Sequence, residues 1–240
     1  MNSKKVSAIR KEMRLLANKE KALVLAGFFK TGKGQYGEGD KFLGIVVPDT
    51  RPLVAKYRGI QMDDILFFLH SAFHEERLFA LLVMVDQFQK GDEEKKEGIF
   101  NAYLANTEHI NSWDLVDLTA DRIVGSYLEN RDKKILLSLA GSDLLWERRI
   151  SILATFHFIK KGESQWTLRL AKKLLGDKHD LMHKAVGWML REVGKRCGEE
   201  IECAFLDAHA AKMPRTALRY AIERFSEPKR QHYLALKQKI

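Results

Sequence analysis

The chain has 240 residues, 45% hydrophobic and 30% charged, with Lys and Arg outnumbering Asp and Glu by 41 to 32. That is long enough to bury a core, no apolar run approaches the ~18 residues that span a bilayer, and the charged opening MNSKKVSAIRKEMR excludes a signal-peptide core, so a cytoplasmic protein is expected. A basic surplus gathered on one face attracts a polyanion such as nucleic acid, whereas a surplus spread over solvated helix faces does not, and composition leaves both open.

In chain order, a helix-like segment from Leu23 to Lys30 leads into Gly32-Lys33-Gly34-Gln35-Tyr36-Gly37, which spells GxGxxG. The dinucleotide-binding form of that motif needs a strand before it and a helix after it; neither is predicted, so a loop carrying Lys30, Lys33 and Tyr36 is expected, with amides able to meet a phosphate. The β-like run from Phe42 to Val47 is too short and isolated for a sheet. Pro48, Pro52, Pro214 and Pro228 fall where helices begin or loops turn. Between them, stripes such as Ile65, Leu66, Phe68, Leu69 and Phe79, Leu82, Val83, Phe88 have helical spacing, separated by polar breaks at Lys90-Gly91-Asp92 and Lys161-Gly162-Glu163.

Stacking the segments shows a repeat. Helices opening at Arg77, Arg149, Lys184 and Arg215 start 72, 35 and 31 residues apart, with room for Trp113 midway in the first gap. A period of about 35 residues with two helices each predicts an all-α fold, a HEAT-like α-solenoid of antiparallel helix pairs. Its concave face, lined by the repeated second helices, is where a long ligand would lie, and a basic surplus gathered there would suit a polyanion. A single repeat domain over 1–240 is expected, with N-terminal helices and the Gly-rich loop over 1–50 and helical repeats over 51–240.

His179 and His183 have the spacing that sets two imidazoles on one helix face, but no third ligand or oriented second shell is evident. Roles at the helix start, with Asp177 or Asp180 near the N-cap, are expected instead. Cys197 and Cys203 form neither a zinc pattern nor a disulfide framework, so both are read as reduced and structural. The chemistry-bearing cluster is Trp113-Asp114-Leu115-Val116-Asp117, where Trp113 and Asp117 share a helix face and Asp114 takes another. Trp188 sits among the small residues Ala185 and Gly187. In a solenoid Trp113, Asp117, Arg149 and Trp188 would line one strip. Spacing alone favours core tryptophans and a structural Asp117–Arg149 ion pair, since both are common.

At Ser112-Trp-Asp-Leu-Val-Asp117, Trp146-Glu-Arg-Arg149, Lys184-Ala-Val-Gly-Trp-Met-Leu-Arg-Glu192 and Met213-Pro-Arg-Thr216 the chain resembles the DNA alkylation repair family, the AlkD-type HEAT-like glycosylases. The likeness extends to Phe29-Lys-Thr-Gly, Phe42-Leu-Gly and Pro48-Asp-Thr-Arg51. The resemblance implies a catalytic carboxylate at Asp117, lesion-flanking tryptophans at Trp113 and Trp188, and a cleft arginine at Arg149, with Arg148 beside it. The implied activity is hydrolysis of the N-glycosidic bond of cationic N3- or N7-alkylated purines in double-stranded DNA, without metal or organic cofactor, by a monomer. Further DNA contacts are expected at Lys30, Lys33, Tyr36, Arg148, Lys184, Arg191 and Arg215. The alternative from another class is a non-catalytic HEAT-repeat module that binds DNA structures or protein partners. An RNA-binding repeat protein is disfavoured because no base-reading positions recur.

Overall fold

The computed structural model describes residues 3–236. These residues form helices joined by short turns. No strand occurs among them, and the one extended pairing is an isolated parallel bridge between Lys41 and Phe73. The fold is thus all-α, as the helical spacing predicts. The chain divides into two compact units, one up to Thr119 and one from Ala120 onward.

The first unit contains α1 (Ser3–Leu16), α2 (Lys19–Phe28), α3 (Val47–Tyr57), α4 (Met62–Leu69), α5 (His74–Lys90), α6 (Glu93–Leu104), a 3₁₀ turn (Thr107–His109) and the five-residue α7 (Trp113–Asp117). Helix α5 is its centre, packed by α3, α4, α6 and α7. Every residue from His74 to Val85 is buried, so this helix is enclosed on all sides rather than striped. Its first turn, His74-Glu75-Glu76-Arg77, is polar and yet buried, which obliges each of those side chains to find a partner. Asp92 caps α6 by accepting the amide N–H of Lys95 at 2.9 Å.

One departure from the sequence reading stands out here. Pro52 lies inside α3 instead of at a boundary; it falls early in that helix and is exposed, so little beyond one intrahelical bond is lost. Helix α2 buries none of its residues, and Leu23, Val24 and Phe28 stand exposed.

The second unit opens with a wide π-helical turn (Asp121–Gly125). It continues with α8 (Ile135–Leu139), α9 (Leu145–Ala154), α10 (Phe156–Ile159), α11 (Gln165–Leu174), α12 (Asp180–Arg196), α13 (Glu199–His209), α14 (Arg215–Ala221) and α15 (Glu227–Ala235). Helix α12 is the hub, packed by α9, α10, α11, α13 and α14. Glycine sets its closest approach: a Cβ on Gly187 would lie 2.3 Å from the carbonyl oxygen of Ala217 in α14. Gly125 repeats the device, its Cβ position falling 2.2 Å from the carbonyl oxygen of Ala154.

A second repeated device appears at helix entrances. The Ser71 hydroxyl accepts the N–H of Phe73 at 3.1 Å, and six residues on, Arg77 donates to the Ser71 carbonyl at 2.9 Å. Ser142 and Arg148 reproduce it at 3.0 and 2.9 Å, and Asp177 with His183 at 2.8 and 2.6 Å. This staple fixes the repeat register one residue earlier than the helix-opening pattern suggests. Arg148 and His183, not Arg149 and Lys184, match Arg77, because the register is set by which side chain reaches back to the carbonyl.

Candidate active site

The short helix α7 owes its position to Asp114. That carboxylate is buried and takes a 2.8 Å hydrogen bond from His74 Nε2, while His74 Nδ1 faces Asp40 at 3.2 Å. Asp40 is held in turn by Arg77 at 2.6 Å and has a carboxyl below its ordinary range: burial opposes the lowering, but the His74 and Arg77 contacts outweigh it. Burial alone would lower the His74 pKa; its bonds to Asp114 and Asp40 dominate and raise it to about 9. His74 is therefore an imidazolium at neutral pH, clamped between two carboxylates. Next to it, Glu75 accepts three backbone N–H groups, from Leu43, Gly44 and Ile45 at 2.8–3.2 Å. Gly44 lies at φ +83°, where a Cβ would sit 2.1 Å from the carbonyl of Asn18, so loop and α2 touch only because glycine is there.

Trp113, at the start of α7, is half-buried, as is Asp117 at its end. The indole stacks on Phe29 (centroids 5.1 Å, 16° between planes) and meets Phe28 edge-on at 5.8 Å. Phe29 stacks further on Phe42 at 5.2 Å, and Phe42 on His74 at 4.7 Å. One face of Trp113 thus has an aromatic floor that fixes its plane. The two acids of α7 differ in role: Asp114 anchors the helix to the core, and Asp117 sits half-exposed one turn along from the indole.

The Gly32–Gly37 segment is a loop, with no strand before it. Lys30 (φ 53°) and Lys33 are exposed on it and Tyr36 is half-buried. Its amides are already engaged: Gly32 N–H donates to Gln35 Oε1 at 3.0 Å and Gly34 N–H to Glu38 at 2.6 Å. An incoming phosphate would have to displace that carboxylate, so the lysines and not the amides are the anion contacts this loop offers.

In the second unit, Trp188 of α12 is half-buried, 6.1 Å from Phe156 and adjacent to Gly187. Neither Trp113 nor Trp188 is a core residue; Trp146 is the buried indole. Arg149 on α9 is only 4% exposed and donates to the Leu181 carbonyl at 2.6 Å, so its guanidinium is positioned by the entrance of α12. Arg148 is taken up by its staple and by a 2.6 Å ion pair with Asp177. Lys184 pairs with Asp180, Arg191 with Glu223, and Arg215 donates to the Leu234 carbonyl. These basic side chains are pre-oriented by intramolecular partners that a polyanion would compete with. His179 caps α12, its Nδ1 accepting the Leu181 N–H, and His183 binds the Asp177 carbonyl, so both imidazoles serve the helix start. Among the described residues no group of three or more His, Cys, Asp or Glu is arranged to hold a metal. Cys197 and Cys203 are free thiols.

Sequence reasoning missed His74, Asp40 and the aromatic floor of Phe28 and Phe29. The available signal was a polar quartet at 74–77 directly preceding the apolar run 78–85.

Residues 9–225 match the family model described as DNA alkylation repair enzyme. Among solved structures, the chain is similar to a protein named as a predicted DNA alkylation repair enzyme from Enterococcus faecalis. The two are 15% identical, with 88% of this chain and 97% of that chain covered and a TM-score of 0.66, a likeness of fold. No curated protein matches the sequence. No helix among the described residues is long and apolar enough to cross a membrane.

Proposed function

The chain belongs to the DNA alkylation repair enzyme family, and from that premise we propose that it is a DNA glycosylase acting on cationic N3- or N7-alkylated purines. The observation that carries this reading is the division of labour in α7, where Asp114 is consumed by His74 and Asp117 is held half-exposed beside a fixed indole.

Alkylation at N3 or N7 makes the purine a cation and a ready leaving group, so little acid catalysis is required. The remaining work is to stabilise the sugar as it gains oxocarbenium character and to orient the attacking water. A carboxylate at Asp117 serves both, by opposing the developing positive charge and by hydrogen bonding to the water. Trp113 and Trp188 hold the cationic nucleotide through cation–π contact, worth ~0.5–2 kcal/mol each. Arg149 meets a backbone phosphate, setting register without reading sequence. Lys30, Lys33, Tyr36, Lys184, Arg191 and Arg215 supply further backbone contacts, and Arg148 supports its neighbour through the staple. The scheme needs neither metal nor organic cofactor. The partner is double-stranded DNA, and its binding weakens steeply with salt as condensed counterions are released.

The test is release of 7-methylguanine and 3-methyladenine from methylated DNA. Asp117→Asn is expected to abolish release while DNA affinity changes little, and undiminished release would remove Asp117 from the reaction. Salt-dependent DNA binding with no release by the unaltered protein would leave a DNA-binding module in place of an enzyme.

A further inference from the structure

The aromatic floor beneath Trp113 has a second side. Behind it, entirely within the first unit, lies a cavity of about 290 Å³. Leu25 and Phe28 of α2, Phe29, Phe42, and His74 and Asp114 are among its lining. Its volume sits at the small end of the range that holds organic ligands, roughly 300–1,000 Å³. One fused ring system fits within it.

The lining also has a chemical bias. Asp114 Oδ2 is bonded to His74, but Asp114 Oδ1 is buried with no hydrogen-bond partner. A buried acceptor left unmade is costly and is relieved by any donor brought beside it. The charges around the cavity point the same way. Of the lining residues, Glu75 and Asp114 are carboxylates and His74 is the one cation, bonded to Asp114, leaving one negative charge in excess. An anion is repelled, an aliphatic chain leaves Oδ1 unanswered, and a flat ring bearing N–H groups suits both the aromatic lining and the carboxylate.

We propose that this cavity binds a free planar bicyclic heterocycle of purine size that donates N–H hydrogen bonds, with Phe28, Phe29 and Phe42 packing on the ring and Asp114 accepting from it. This site is separate from the proposed reaction at Asp117 and stands without it. The ring chemistry matches a released base better than an intact nucleotide, because a lining with two carboxylates and one already paired cation repels a phosphate.

Isothermal titration of the full chain with 7-methylguanine and adenine as probes tests it, with caffeine as the control. Caffeine is a purine of like shape whose ring nitrogens carry no N–H. Both bases are expected to bind, and caffeine at least tenfold more weakly. Leu25→Trp, which fills the cavity from α2, is expected to abolish binding while thermal unfolding stays cooperative; Val46→Phe fills it from the loop should the first variant not fold. Equal affinity for caffeine, no binding of either base, or binding that survives a folded filled variant would overturn the proposal. Because the titration reads binding alone, a protein that binds the bases but releases none from DNA keeps this site and loses only the glycosylase reading.

Discussion

His74 couples the stability of the first unit to pH in a direction that can be worked out. Its pKa rises from 6.5 in the unfolded chain to about 9 in the fold, because bonds to Asp114 and Asp40 outweigh its burial. The folded state therefore holds a proton that the unfolded state has released between these values, and stability falls with rising pH across that window. At ~1.4 kcal/mol per pKa unit, the clamp contributes on the order of 3 kcal/mol, present in full below pH 6.5 and lost as the pH rises through about 9. The perturbation is His74→Gln, which keeps a hydrogen-bonding side chain without a titrating charge. Urea unfolding of both proteins at about pH 6 and about pH 9.5 supplies the comparison, with m-values checked for constancy. The unaltered protein should exceed the variant by about 3 kcal/mol at the lower pH and by little at the higher one. Parallel pH profiles for the two proteins would refute the reasoning, because the charged clamp would then contribute nothing specific.

Glu202 provides a counterpart in the second unit. Burial, followed by the charge of Glu199, pushes its carboxyl up to about 8, and only Gly194 leaves room for it, since a Cβ there would lie 1.8 Å from Oε2. A raised carboxyl pKa makes stability fall as pH rises from 4.5 to about 8, so Glu202→Gln should gain a few kcal/mol relative to the unaltered protein above that window, measured by urea unfolding. Gly187→Ala puts a methyl 2.3 Å from the Ala217 carbonyl and should cost ~1–3 kcal/mol in thermal unfolding, as overpacking does. An unchanged melting temperature would mean that α14 yields without penalty.

How much could be read in advance depended on the range of the interaction. That Trp113 and Asp117 share one short helix was legible, because four-residue spacing is a local fact. The buried clamp was not, because His74 meets partners 34 and 40 residues away, and a polar first turn reads by default as a solvated one. The choice between Arg148 and Arg149 was also hidden. Two adjacent arginines offer the same pattern, and only the bond to the Ser142 carbonyl shows which one closes the turn. Helix α2 shows another limit of periodicity, since Leu23, Val24 and Phe28 are apolar and nonetheless exposed. The aromatic contact of Phe29 with Trp113 joins segments far apart in the chain, which periodicity cannot connect.

The staple at Ser71, Ser142 and Asp177 draws on a stretch of only seven consecutive residues, its side-chain donor lying six positions after its acceptor. Everything needed to turn the chain into a new helix is therefore written in one short tract and asks nothing of distant neighbours. A gene that lengthened by copying such tracts would inherit finished corners with every copy. Arginine at two of these corners and histidine at the third serve alike, because all the corner demands of the donor is that the carbonyl be answered.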